Sequence, residues 1–494
     1  MLFYIHSAKE LINVKRLLLL ISYYLLTLSM TSALADTSPP LTQWLESSLP
    51  KTAYQPHIGI IIQSAKTGKI LYQKNATQLF TPASIQKLFV ATAALLYLHP
   101  DFTYTTTITS NHQPVNHTLK GNAYLKFSGD PYLSSKDLNQ LFKQLKHNGV
   151  THITGALYLD TSAFDSIYYP PGWLWDDLSY SFAAPMSAAN IDQNKFILHL
   201  LPANQTGRPP QLSPNLPSNV LTLSNHAVTT AHYQKTCPLT VYSDTNNHYS
   251  IGGCLVKPWK KQRRSLAIRN PEPYIISKIQ TAMNTAGISA QRIQFKTTPL
   301  SANHPLSTHH SASMSEIVKH MLTQSDNLAA DTLLKTLGHH YYKEPGTWQN
   351  GIHALQHILS EQTGIDFHLA LLTDGAGLSR YNLASPKQFT QLLYFIQQHS
   401  KISDDLKAAL PKPGGAGTLA HRMHQYQQSN RVAAKTGSMT GISSLAGYIN
   451  TRHNNKLIFV IMVNGFVGPS KKYQQFEDKL CQYLISTSEN LYTS

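Results

Sequence analysis

Three short segments, Ser84-Ile85-Gln86-Lys87, Ser325-Asp326-Asn327 and Lys435-Thr436-Gly437, constrain this chain more than any other feature. Each is ordinary alone: a Ser-x-x-Lys tetrapeptide arises by chance, and Ser-Asp-Asn reads as a helix cap or a turn. In this order they supply a hydroxyl nucleophile, an amine that can act as its base, further hydroxyl and amide groups, and a cation beside a glycine. A fold that uses all of them must draw segments about 350 residues apart into one cleft.

The local context of the first segment favours chemistry over chance. Thr81-Pro82-Ala83 precedes the serine and the apolar run 88–96 follows it, which predicts a buried helix entered through proline in its first turn. Ser84 and Lys87, three positions apart, then share one helical face within hydrogen-bond reach. A serine hydroxyl is a weak nucleophile and needs such a partner base. Lysine can serve only when neutral, which requires a fall of about 3 units from its reference value near 10.4, a perturbation of roughly 4 kcal/mol. Burial and a second cation are the usual causes, and Lys435 is the candidate cation.

Lys66-Thr67-Gly68 is a second Lys-Thr-Gly, but it lies before the nucleophile between two strand-like segments and reads as the turn of a β-hairpin. The later copy opens the stretch 438–450, which is expected to pair with 456–463 across the polar turn 451–455. Its glycine would let a substrate backbone approach a sheet edge closely.

Residues 1–35 read as a secretory signal: Lys9, Lys15 and Arg16 precede the apolar run 17–28, and Ala33-Leu34-Ala35 stands before Asp36 as a cleavage site. The apolar run is too short to span a bilayer. Export to the periplasm, with cleavage after about Ala35, is the expectation. The chain that remains exceeds one ordinary domain, so two or three are expected. The net charge of +16 falls only to about +14 without the leader. A basic exported protein with no zinc-finger spacing or basic helix argues against nucleic acid. An anionic envelope polymer or membrane surface fits the charge, as does a merely solvated basic surface. The polar C-terminus, 486–494, lacks an amphipathic anchor helix, which limits membrane association to peripheral contact.

Three cysteines are too few for a disulfide scaffold. Cys237 and Cys254 could close a loop of roughly 16 residues, leaving Cys481 unpaired. The histidines include the doublets His309-His310 and His339-His340 but no ligand spacing for a metal, so neither metal nor cofactor is expected.

About 240 residues separate Ser84 from Ser325, far more than a serine acyl-transferase core needs. Between about 104 and 264 the texture turns to short strand-like runs at 123–127, 153–159, 195–200 and 219–223, broken by Pro-, Gly- and Asn-rich segments. Helical periodicity returns at 271–286 and 314–337. The expected organisation is a discontinuous catalytic domain, 36–103 plus 265–494, with 104–264 inserted.

At this point the chain resembles the low-molecular-mass class C penicillin-binding proteins, the D-alanyl-D-alanine carboxypeptidase/endopeptidases, marked by a large insert between the first two motifs. Further segments carry the likeness: Ser128-Gly129-Asp130-Pro131, 153–164 with Asp160, Pro171-Gly172-Trp173 with Asp176-Asp177, Asp374-Gly375-Ala376-Gly377-Leu378-Ser379-Arg380, and Gly417-Thr418-Leu419. The resemblance implies an α/β (α+β) fold of the penicillin-recognising transpeptidase/β-lactamase-like type, an antiparallel sheet flanked by helices, with a β-rich insert of two nested subdomains. It implies peptidoglycan stem peptides as substrates and β-lactam antibiotics as covalent inhibitors; a homodimer stays open. Ser84 is then the nucleophile, Lys87 its base, Ser325 a proton relay and Asn327 a catalytic residue that holds the substrate amide and Lys87, while Lys435 with Thr436, Gly437 and Ser438 receives the terminal carboxylate. Asp160, Phe164, Arg380 and Thr440 are implied contacts for the substrate side chain; a local ion pair or strand-end cap is the plain alternative for Asp160 and Arg380, and core packing for Phe164. Three positions depart from the family pattern: Ala376 stands where serine is frequent, Ala416 where aspartate is frequent, and Thr440 where some relatives carry glutamine. The other readings are a serine β-lactamase, disfavoured because no Glu-x-x-x-Asn follows the second motif, and a non-catalytic peptidoglycan-binding scaffold.

Overall fold

The strand Lys456–Asn464 is apolar at seven successive positions because both of its faces are covered. Side chains alternate across a strand, and here the alternation sorts two cores. Leu457, Phe459, Ile461 and Val463 pack with Leu41, Leu45 and Leu480 on one side. Ile458, Val460 and Met462 pack with Phe89, Leu392 and Leu393 on the other. The computed structural model describes residues 40–50, 54–257, 262–298, 302, 304–427 and 429–487, so the expected leader 1–35 lies outside the described residues.

This strand is the centre of a five-stranded sheet, ordered Val432–Met439, Ile442–Asn450, Lys456–Asn464, His57–Ser64, Ile70–Lys74, with every neighbouring pair antiparallel. The helix Lys471–Ser486 covers one face. The helices Lys87–Tyr97 and Pro386–Gln398 lie on the other. Lys66-Thr67-Gly68 forms the expected hairpin turn, with Gly68 at φ 74°. The stretch expected to run unbroken over 438–450 instead turns at Thr440-Gly441, where Gly441 takes φ 75°, so the Lys-Thr-Gly strand gains its own hairpin partner.

Between the nucleophile helix and the second motif the chain builds a separate sheet. The strands Thr105–Ser110, Ala123–Lys126, His152–Asp160, Ser289–Lys296 and His304–His310 share it. Its entry strand Thr105–Ser110 pairs antiparallel with its exit strand His304–His310. The boundary expected at 264/265 therefore falls inside the inserted region: the helix Pro271–Ala286 packs against Ser135–His147 beside this sheet, and the chain returns to it at Ser289. Helical periodicity could not tell which sheet a helix would cover. We accordingly propose that the insert runs from about 104 to 310. Nested within it, the described residues of 195–257 and 262–267 form three small sheets.

Cys237 and Cys254 are joined, with Cα atoms 5.4 Å apart across a separation of 17 residues, and Cys481 is free and buried. Closing a loop of this length restricts the unfolded chain. Replacing both cysteines with serine is expected to lower unfolding stability by about 3 kcal/mol, read by denaturant titration; an unchanged midpoint would show that the nested sheets hold the loop unaided. Among the described residues, no helix is long and apolar enough to cross a membrane.

Candidate active site

Ser84 lies on a 3₁₀ turn, Ala83–Gln86, that runs directly into the helix Lys87–Tyr97. Ile85, Gln86 and every helical residue from Lys87 to Leu95 are buried, so the turn is held from below while Ser84 keeps part of its surface. The Lys-Thr-Gly strand passes close by. A Cβ at Gly437 would lie 2.8 Å from the Pro82 carbonyl and 3.1 Å from the Ser84 nitrogen, so only glycine permits this approach. It brings the Lys-Thr-Gly strand against the backbone of the Ser84 turn.

Lys87 Nζ is bonded to Ser84 Oγ at 2.9 Å, Asn327 Oδ1 at 2.7 Å and the Ala376 carbonyl at 2.5 Å. Complete burial lowers the amine to about 8, against the opposing pull of Asp331, Asp374 and Asp326. The fall is in the direction a base requires. The second motif breaks the long helix expected over 314–337. Ser325 takes φ 59° at the end of Met314–Gln324, and Asp326 caps the next helix, Asn327–Tyr342, through the Ala329 amide. The left-handed residue turns Ser325 and Asn327 toward the cleft together. The Asn327 amide nitrogen donates to the Phe182 carbonyl at 2.8 Å and Gln193 donates to Asp326 at 2.6 Å, so the insert holds this motif from outside.

Residues 374–380 form a wedge between the nucleophile turn and the helix Asn327–Tyr342. A Cβ at Gly375 would meet the Ala330 carbonyl at 2.6 Å, and one at Gly377 the Ala83 carbonyl at 2.0 Å. The Asp374 carboxylate organises the loop from within, accepting from the amides of Gly377, Leu378 and Ser379 and from Asn382. It also accepts from Trp173 Nε1 at 2.8 Å. Ser379 donates to the Pro171 carbonyl, so the Pro-Gly-Trp segment of the insert docks on this loop. At position 376 the site uses the backbone carbonyl, which explains why alanine can stand there.

Lys435 Nζ donates to Ser325 Oγ at 2.8 Å and to the Thr436 carbonyl. Burial, with Lys87 adding a second positive charge, pushes Lys435 well below the ordinary lysine range. The Thr436 hydroxyl donates to Thr418 Oγ1 at 2.7 Å, which adds Thr418 to the hydroxyls beside Lys435. The loop that carries Thr418 is tied down by Arg422, whose guanidinium is bonded to Glu477 and Asp478.

The outer rim differs from the expectation. Arg380 donates to the Thr440 carbonyl at 2.8 Å, so these two do meet beside the Lys-Thr-Gly hairpin. Asp177 lies within electrostatic range of Arg380: partial burial lifts its carboxyl, while Arg380 draws it back down. Asp160 is 1% exposed and accepts from the Ser162 amide at 2.9 Å as a strand-end cap. Phe164 is 4% exposed, with its ring closed over Gly129. These placements match the strand-end cap and the core packing that were the plain alternatives to a substrate contact. Asp177 is partly buried, and Phe182, whose carbonyl holds Asn327, is half-exposed. The signal for Asp177 was the Asp176-Asp177 pair after Pro171-Gly172-Trp173; nothing local marked Phe182. Among the described residues no cluster of side chains is arranged to hold a metal ion.

Comparison with known proteins follows the same lines. The family model described as D-Ala-D-Ala carboxypeptidase 3 (S13) matches residues 41–484. The D-alanyl-D-alanine carboxypeptidase DacB of Haemophilus influenzae is 33% identical over 413 residues, 83% of this chain and 86% of the relative. A D-alanyl-D-alanine carboxypeptidase of an Actinomadura species is 28% identical over 462 residues, 90% of this chain and 85% of its own. The crystal structure of penicillin binding protein 4 (dacB) from H. influenzae superposes with a TM-score of 0.81 at 32% identity, covering 90% of this chain and all of that one. The same protein complexed with a β-lactam gives 0.77 at 30% identity.

Proposed function

Because the chain belongs to the D-Ala-D-Ala carboxypeptidase 3 (S13) family, we propose that the cleft around Ser84 performs serine-type acyl transfer on peptidoglycan stem peptides, as carboxypeptidase and DD-endopeptidase. The observation that carries this reading is the triple hydrogen bonding of a fully buried Lys87 to Ser84, Asn327 and the Ala376 carbonyl.

Neutral Lys87 takes the proton from Ser84 Oγ as the oxygen attacks the carbonyl carbon of the penultimate D-alanine. Negative charge develops on the carbonyl oxygen between the N–H groups of Ser84 and Ser438. The C–N bond breaks, and Ser325, hydrogen-bonded to Lys435, passes a proton to the departing amine. Water then hydrolyses the ester and returns Ser84. The terminal carboxylate is received by Lys435 and the hydroxyls of Thr436, Ser438 and Thr418; an anion there restores the ammonium form that burial disfavours. Penicillin presents a carbonyl and a carboxylate in the same relation, so it acylates Ser84. Secretion to the periplasm, where such substrates lie, is part of the same reading.

Asp177 and Arg380 form the complementary pair for the amine and carboxylate of a free diaminopimelate side chain. Each charge-assisted contact is worth about 1.5 to 3 kcal/mol, roughly 10- to 150-fold in rate. Incubating the mature protein with purified muropeptides is expected to release D-alanine from pentapeptides and to split cross-linked dimers. Asp177→Ala is expected to slow these reactions by about that factor relative to a substrate whose diaminopimelate amine is acylated. Equal slowing of both substrates would mean that Asp177 supports structure only, and release of neither product would overturn the assigned activity.

A further inference from the structure

The three partners of Lys87 Nζ are chemically unequal. Asn327 Oδ1 and the Ala376 carbonyl can only accept, whereas Ser84 Oγ can accept or donate. The neutral amine has two N–H bonds and one lone pair. If both obligate acceptors are in place, they take the two N–H bonds and the lone pair is left facing the Ser84 hydroxyl. Remove one, and the amine can turn an N–H toward Ser84, where it is no base.

Asn327 is fixed at its far end by the Phe182 carbonyl. The Ala376 carbonyl belongs to a loop; the N–H of its own peptide, that of Gly377, is held by Asp374, and the two peptides before it are held by Asp331, one turn beyond Asn327 on the same helix. Asp331 Oδ1 accepts from the amides of Gly375 and Ala376 at 2.8 and 2.9 Å. The side chain is fully buried, and its Oδ2 has no hydrogen-bond partner among the described residues. We propose that Asp331 is a positioning residue for the acylation step: by clamping the Gly375 and Ala376 amides it aims the Ala376 carbonyl at Lys87 and thereby points the lone pair of the base at Ser84.

The clamp needs an acceptor oxygen at the Oδ1 position, not a negative charge. Burial and the neighbouring Asp374 carboxylate both raise the Asp331 carboxyl well above its ordinary range, against the pull of the two amides and Lys87. Asparagine is isosteric with the carboxyl group and keeps the acceptor.

The inference rests on Ser84 as nucleophile and Lys87 as base. The test is stopped-flow acylation of the intact protein by a fluorescent penicillin, which separates the dissociation constant of the first complex from the acylation rate constant, with thermal melting run alongside. Asp331→Ala is expected to lower the acylation rate constant about 100-fold, the scale of a misplaced catalytic group, with the dissociation constant unchanged. Asp331→Asn is expected to restore it to within about threefold of wild type. Folded Asp331→Ala protein acylating at the wild-type rate would overturn the proposal, as would a loss confined to the dissociation constant. Asp331→Asn as slow as Asp331→Ala would overturn it by showing that charge, not the acceptor, matters. Should the alanine chain not fold, Asp331→Asn decides alone: a 100-fold loss in that folded isostere rejects the clamp. Failure of the underlying mechanism would look different, as wild-type protein that forms no adduct on Ser84.

Discussion

Alanine at position 84 is expected to abolish covalent labelling by a fluorescent penicillin, with a loss of at least about 10⁴ in acylation rate. The hydroxyl is the only group at that position able to form the ester, and a neighbouring lysine cannot replace it without moving. The fold should survive. Ser84 is only partly buried, its turn is anchored through Ile85 and Gln86, and Lys87 keeps two of its three acceptors. Mass spectrometry of the digested adduct locates the label. A penicilloyl group on any other residue, or full labelling of Ser84→Ala, would end the assignment of the nucleophile.

The second large effect is a pH dependence. Lys87 acts as a base only when neutral, and its pKa lies at about 8. Below that value the protonated amine predominates, so acylation should rise about tenfold per pH unit from pH 6 and level off above 8, roughly 100-fold in all. Lys87→Arg should lose acylation at every pH tested, because a guanidinium stays protonated. Position 435 offers no contrast of the kind surface lysines would, because Lys435 is equally buried and an arginine would overfill the same closed space. A rate that is flat from pH 6 to 9 in the wild-type protein would remove Lys87 from the role of base.

How much of this was legible beforehand depends on the distance over which each feature is determined. Ser84 and Lys87 are three residues apart, so their meeting follows from helical geometry, and the buried run after them guarantees that Lys87 leaves water. The hairpin turn at Lys66-Thr67-Gly68 is local in the same way. The break at Ser325 was not legible, because the periodicity of 314–337 continues smoothly through it and only the left-handed φ of one serine interrupts it. Asp160 and Phe164 share the opposite fault. They lie beside residues with family-like spacing, but whether a strand-end acid caps its own turn or faces a cleft depends on what packs above it.

The helix Pro271–Ala286 shows the same limit at larger scale. Its amphipathic pattern reported that it covers something apolar, not which of two sheets. Arg380 reached the Thr440 carbonyl, and Asp331 reached the amides of Gly375 and Ala376, through contacts between segments dozens of residues apart. Local spacing and burial patterns are written along the chain because they depend on 3.6-residue and 2-residue periods. By itself the sequence therefore pointed to Ser84 and Lys87 as one pair, to Ser325, Asn327 and Lys435 as their ordered partners, and to a long segment between the first two motifs. Only the tertiary structure decided which sheet the helix Pro271–Ala286 covers, which carbonyl receives Arg380, and which carbonyl meets Lys87. Those choices rest on close packing between distant segments, at the approach of Gly375 to Ala330, Gly377 to Ala83 and Gly437 to Ser84.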